Sequence, residues 1–185
     1  MLEKIIDCDK DVLVFLNSLG SEPFDYFWLV ITKQANWTLF FVMFFYFLQK
    51  KLGWKNFGYY ILFTAFIILI CDQTANFFKN HFQRLRPCND QEIKGIIRIV
   101  KSSATFSFFS GHAANSMATA IFAFMIAKKY YKHSYLIFLF PVIFAYSRIY
   151  LGLHFPTDIL AGYTFGAIVG FVSYKLYMKF VMHTS

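Results

Sequence analysis

From residue 57 to about residue 78 the chain runs apolar with Asp72 as its one charged residue. At about 1.5 Å per residue such a run crosses about 30 Å of hydrocarbon as a helix. Comparable runs cover residues 111–127, 135–151 and 157–181. Another covers 24–48, interrupted by Thr32-Lys33-Gln34-Ala35-Asn36, so that it is either tilted or keeps its polar stretch near one interface. With 58% hydrophobic and 15% charged residues in 185, the chain is too apolar for a water-soluble globule of this size. The expected fold class is therefore all-α, a polytopic membrane helical bundle of about five transmembrane helices plus an N-terminal interfacial helix. Residues 1–185 form a single domain, with the interfacial helix in 1–22 and the bundle in 24–181. Ile5, Ile6, Val12, Leu13, Leu16 and Leu19 recur near helical spacing with Asp7, Asp9, Lys10 and Asp11 between them, the pattern of an amphipathic helix over residues 3–19. Those carboxylates also argue against a cleavable signal peptide.

Five spans put successive loops on alternating sides. Lys50, Lys51 and Lys55 then share a side with Lys128, Lys129, Lys132, Lys175 and Lys179, which marks that side as cytoplasmic. Residues 79–110 and 148–158 face outward with the N-terminal segment. The net charge of +8 is spread in short clusters, which leaves no basic domain for nucleic acid and points to anionic headgroups or an anionic substrate. Lys94, Arg98 and Lys101 are read as contacts to anionic lipid headgroups or to the rest of a substrate headgroup. Cys8, Cys71 and Cys88 lack metal-ligand spacing; Cys71 is read as packing, and a bridge between Cys8 and Cys88 is left open.

Three short patterns fall at the outward end: Lys79-x6-Arg86-Pro87, Ser110-Gly111-His112, and Ser147-Arg148-x5-His154-x3-Asp158. Over roughly residues 57–180 this arrangement resembles the type 2 phosphatidic acid phosphatase superfamily, with Phe109 where the family usually has proline. The resemblance implies phosphate transfer to a histidine without metal or other cofactor. It makes His154 the nucleophile that becomes a phosphohistidine, Asp158 the group that holds its tautomer, and His112 the acid that protonates the leaving oxygen and later the base for water. Lys79, Arg86, Ser110, Gly111 and Arg148 become the phosphate site. The chemistry is consistent: a phosphoryl group in flight spreads negative charge over its equatorial oxygens, and fixed cations with helix N-terminal N–H groups stabilise it.

The remaining polar residues have plainer readings. His81, His133 and His183 are interfacial polar groups. Asp72 shares a helix face with Asn76 and Lys79 and is read as an interhelical hydrogen-bond partner or as a group that orients the site. Asn115, Ser116 and Thr119 read as small polar packing contacts, and Gly162, Gly166 and Gly170 as a seam for close helix packing. The resemblance implies a membrane phosphatase acting on undecaprenyl pyrophosphate, phosphatidylglycerophosphate, phosphatidic acid or lipid A, expected in a bacterial cytoplasmic membrane with its site facing the periplasm. Lipid phosphotransfer and a catalytically inactive lipid-binding or transport role are the alternatives. No protein partner is implied.

Overall fold

The computed structural model describes residues 2–182, which leaves His183 outside it. Six α-helices follow in order: α1 (Leu2–Ser18), α2 (Asp25–Ile31), α3 (Thr38–Phe82), α4 (Gly111–Ala127), α5 (Leu139–Tyr150) and α6 (Pro156–Tyr177). The last continues through a π-helical turn, Met178–Met182. No strand occurs among the described residues.

The long α3 is a hairpin. Gly53 adopts φ 73° and ψ 165°, a conformation open to glycine because it lacks a Cβ. Beyond it the chain doubles back, so that the Phe45 ring meets those of Phe57 and Tyr60 at 6.0 and 6.1 Å. The expected single span over 24–48 is corrected accordingly. Its first part is the separate short helix α2, whose last carbonyls, those of Val30 and Ile31, accept from the Asn36 amide and the Trp37 indole at 2.7 and 2.8 Å. The polar interruption thus ends one helix, and a new one starts at Thr38.

Helices α4 and α6 form the centre. A Cβ on Gly162, Gly166 or Gly170 would lie 2.6, 2.3 or 2.4 Å from the carbonyl oxygens of Ser110, Ala114 and Ala118. The glycine seam therefore packs two helices of the same chain backbone to backbone. Gly166→Val should cost about 3 kcal/mol, because the clash is with helix backbone that cannot rotate aside. A thermal melt in detergent checks this, and an unchanged melting temperature would contradict the packing.

The two ends of the bundle differ. At one end Tyr131 donates to Phe47 O and Tyr177 to Asn56 O, both at 2.9 Å, which gathers the lysine-bearing turns near residues 50, 130 and 178. At the other end α1 and α2 close over the loops before α4 and α6. Leu13 and Asn17 of α1 are buried, and the Asn17 amide donates to Ile149 O, Tyr150 O and Arg98 O. Phe15 remains exposed on its other face and Leu19 just beyond its end, as do Leu62, Phe66, Ile168 and Phe171 around the bundle. Two helical stretches, Gln34–Asn89 and Pro156–Met182, are long and apolar enough to cross a membrane.

Arg98 is not left free for headgroups: its Nη2 binds both Asp25 oxygens at 2.9 and 3.0 Å, fastening the start of α2 to the loop before α4. Cys8 is exposed, Cys88 is buried, and both are free thiols, so no bridge forms. His81 stacks on Phe77, and His133 lies 3.3 Å from the Tyr135 hydroxyl, both outside the motif cluster. Asp72 accepts from the Asn115 amide at 2.6 Å, a bond between α3 and α4.

Candidate active site

The three motifs meet at the end closed by α1 and α2. Ser110 caps α4, its hydroxyl oxygen 3.4 Å from the Ala113 N–H, and its own N–H donates to Asp158 O at 3.0 Å. The second and third motifs are thereby joined by main chain. At Gly111 an added Cβ would lie 3.4 Å from Ala75 Cβ and 4.0 Å from Lys79 Nζ, so glycine lets the ammonium approach the helix N-terminus. His112 follows on the first turn, its ring stacked on Phe144 at 5.3 Å.

His154 lies in the loop between α5 and α6 and is almost fully buried. Arg86 Nη1 is 3.0 Å from His154 Nε2 and also donates to Leu153 O at 2.8 Å. A guanidinium only donates, so Nε2 carries the lone pair and Nδ1 carries the proton. Nδ1 in turn faces the Ser107 hydroxyl and Asp158 Oδ2, each at 3.4 Å. Burial pushes the imidazole down to about 4, against the opposing pull of Asp158, so the ring is neutral at pH 7 and its contact with Asp158 is a hydrogen bond between a neutral ring and a carboxylate. This tautomer is the one a nucleophilic Nε2 requires.

Asp158 is held on all sides. Its Oδ2 accepts from Phe155 N–H at 2.9 Å and from the Ser107 hydroxyl, while Oδ1 accepts from Arg84 Nη1 at 2.8 Å. Arg86 is fixed by Thr105, through Nε to the carbonyl at 2.8 Å and Nη2 to the hydroxyl at 2.9 Å. Arg148, buried in the last turn of α5, donates through Nη1 to the Thr32 hydroxyl at 2.5 Å, and its Nε has no partner among the described residues. A buried N–H of this kind is poised for an acceptor that arrives with a ligand.

All eight expected site residues therefore share one end of the molecule, with Lys79, Arg86 and Arg148 within electrostatic reach of each other and of His112. The motifs did not single out Arg84, Ser107, Thr105, Asp9 or Thr32. Arg84 lies within the spacer of the first motif and Ser107 three residues before the second. Asp9 and Thr32 reach the site across more than a hundred residues of chain, a distance over which sequence pattern carries no signal.

A cavity of about 610 Å³ opens from Lys79, Gly111 and His112 and runs between the two legs of α3 and the flanks of α4 and α5. Its depth is lined by Phe41, Phe45, Tyr60 and Ile68, with Asp72 and Asn76 nearer the cations. Positive charge at one end and hydrocarbon along the rest suit an amphiphilic phosphate.

The family model described as PAP2 superfamily matches residues 56–182. The lipid A 4'-phosphatase of Bacteroides thetaiotaomicron is 35% identical over 183 residues, covering 97% of this chain and 81% of that protein. The lipid A 4'-phosphatase of Porphyromonas gingivalis is 30% identical over 180 residues, covering 96% and 76%. Among solved structures, a transmembrane PAP2 type phosphatidylglycerolphosphate phosphatase from Bacillus subtilis superposes with a TM-score of 0.73 at 18% identity, covering 96% of this chain and 88% of that one. Aquifex aeolicus LpxE gives 0.68 at 20% identity, covering 89% and 93%.

Proposed function

Because the chain belongs to the PAP2 superfamily, we propose that it is a membrane lipid phosphatase that removes a phosphate monoester from a glycolipid of the lipid A type through a phosphohistidine on His154. The observation that carries the chemistry is the His154 tautomer, with Nε2 unprotonated beside Arg86 and Nδ1–H directed at Asp158. Two relatives named for lipid A, each matched over most of its length, support the choice of substrate.

In this reading the substrate phosphate enters among Lys79, Arg86, Arg148 and the N-terminus of α4, and Arg86 passes from Nε2 to a phosphate oxygen. Nε2 attacks phosphorus in line, the P–O bond to the sugar breaks, and His112, protonated while the phosphate dianion lies beside it, gives that proton to the leaving oxygen. Water then attacks the phosphohistidine as His112 takes a proton from it, which returns His154 and releases phosphate. Ser110 and Gly111 shape the cradle, and Asp158 stabilises the positive charge that gathers on the ring during phosphorylation. The acyl chains stay in the bilayer while the phosphate reaches the site laterally.

The whole chain, residues 1–185, acts as one domain. It crosses the membrane five times, by the two legs of α3 (38–52 and 54–82), by α4, by the helical stretch 134–150, and by α6. The lysine-rich end lies in the cytoplasm and the site faces the periplasm of a bacterial cytoplasmic membrane.

The test is phosphate release by detergent-purified protein from lipid A, phosphatidylglycerophosphate, phosphatidic acid and undecaprenyl pyrophosphate. Release from lipid A at a kcat/KM at least tenfold above the others is expected, and preference for another lipid would reassign the substrate without touching the mechanism. Chelator should leave the rate unchanged, since the three cations do the work of a metal. Orthovanadate should inhibit competitively, binding about a hundredfold or more tighter than substrate by imitating the five-coordinate phosphorus. Activity lost in chelator and restored by a divalent ion would overturn the metal-free mechanism.

A further inference from the structure

The helix α1 lies outside the stretch that the family model matches, yet it supplies a carboxylate to the site. Asp9 is 5% exposed although it sits on a helix that is otherwise polar or open on much of its surface. Its Oδ1 accepts from the Thr157 N–H at 2.9 Å, and its Oδ2 accepts from the Thr157 hydroxyl at 2.5 Å and from Arg84 Nη2 at 2.7 Å. Thr157 is the second residue of α6, where an N–H has no partner within its own helix. Asp9 therefore caps α6 from another helix, one residue before Asp158.

Arg84 completes the link. It donates through Nη1 to Asp158 Oδ1 and to the Thr157 hydroxyl, both at 2.8 Å, and its guanidinium lies 3.9 Å over the Phe155 ring. One arginine thus spans two buried carboxylates, one from α1 and one beside the nucleophile. With Asp9 present, its charge is shared. Without Asp9 the whole positive charge would fall on Asp158, drawing electron density from the carboxylate that must support the His154 ring as it becomes positive.

We propose that Asp9 is a positioning residue of the phosphatase reaction, acting through Arg84 and Thr157 to set both the place and the basicity of Asp158. The inference rests on the His154 and Asp158 roles proposed above. It makes the N-terminal helix part of the catalytic apparatus as well as a membrane-surface element. Asp9 touches neither substrate nor reacting atoms, so its removal should slow the chemical step while leaving substrate binding in place.

The experiment compares wild type, Asp9→Asn, Asp9→Glu, Arg84→Gln, the double variant Asp9→Asn/Arg84→Gln and His154→Ala, each taken as the monodisperse fraction in detergent. Asp9→Asn should lower kcat about 10- to 100-fold with KM within about threefold, the range usual for groups that orient a catalytic residue. Asp9→Glu should recover part of the loss. The double variant should lose less than the product of the two single losses, since removing Arg84 relieves the unbalanced charge. Wild-type kcat in Asp9→Asn would overturn the proposal. So would a fall in folded yield and melting temperature with kcat per folded molecule unchanged, which would make Asp9 structural only. Turnover surviving in His154→Ala would instead refute the mechanism on which the proposal rests, so the two failures are distinguishable.

Discussion

Replacing His154 with alanine should abolish turnover, by about 10⁴-fold or more, while the protein still folds and still binds lipid. Loss of a covalent nucleophile removes a whole reaction path rather than one contact, and effects of this size are usual for such residues. A factor of 10⁴ corresponds to about 5.5 kcal/mol of barrier. Folding should survive because the side chain's bonds are few: Arg86 keeps Leu153 O and both Thr105 contacts, and Asp158 keeps Arg84, Ser107 and the Phe155 N–H. The measurement pairs steady-state phosphate release with lipid binding by the same detergent-purified sample. Mass spectrometry of wild type quenched at alkaline pH should find a phosphoryl group on the peptide containing His154. Residual phosphate release within tenfold of wild type would mean that another group attacks phosphorus.

How much of this was legible in the sequence follows from the range of the interactions. The start of α4 was readable because Ser110 and Gly111 combine a helix cap with the onset of an apolar run. The seam of Gly162, Gly166 and Gly170 was readable because a four-residue repeat of the smallest residue admits a neighbouring backbone. The reversal itself was readable, since the apolar runs ending at residue 48 and starting at residue 57 leave the lysine-bearing stretch between them as a turn, whereas its placement at Gly53 was not, because only one residue leaves the helical dihedrals there. The separate helix α2 was hidden for a related reason: its sequence is apolar, and what ends it are side-chain bonds from Asn36 and Trp37. Arg98 looked like a surface charge until its partner Asp25, 73 residues away, was placed beside it. The same holds for Thr32 on Arg148 and for Asp9 on Arg84. Motif spacing locates groups that must meet one ligand, whereas the residues that hold those groups are chosen by tertiary packing and leave no period in the chain.

His112→Ala should produce the second large effect, and its size should depend on the leaving group. The sugar oxygen of a glycolipid phosphate is a poor leaving group unless protonated as the P–O bond breaks, and general acid catalysis of such a step contributes about 10²- to 10⁴-fold. His112 opens on the same cavity as Lys79 and the apolar channel, the side from which a lipid alkoxide would depart, and it stacks on Phe144, which fixes the ring plane. With the lipid substrate His112→Ala should therefore lose about 10³-fold in kcat. With an activated aryl phosphate, whose phenolate leaves without a proton, phosphorylation of His154 should be nearly as fast as in wild type. Hydrolysis of the phosphohistidine would still be slow, because water then lacks its base. The expected signature is a burst of phenolate equal to one per active enzyme, followed by a slow steady rate, with phosphoenzyme accumulating on His154. Equal losses in the burst for both substrates would assign His112 to phosphate binding instead, and the absence of any accumulated phosphoenzyme would place the water-activating base elsewhere in the site.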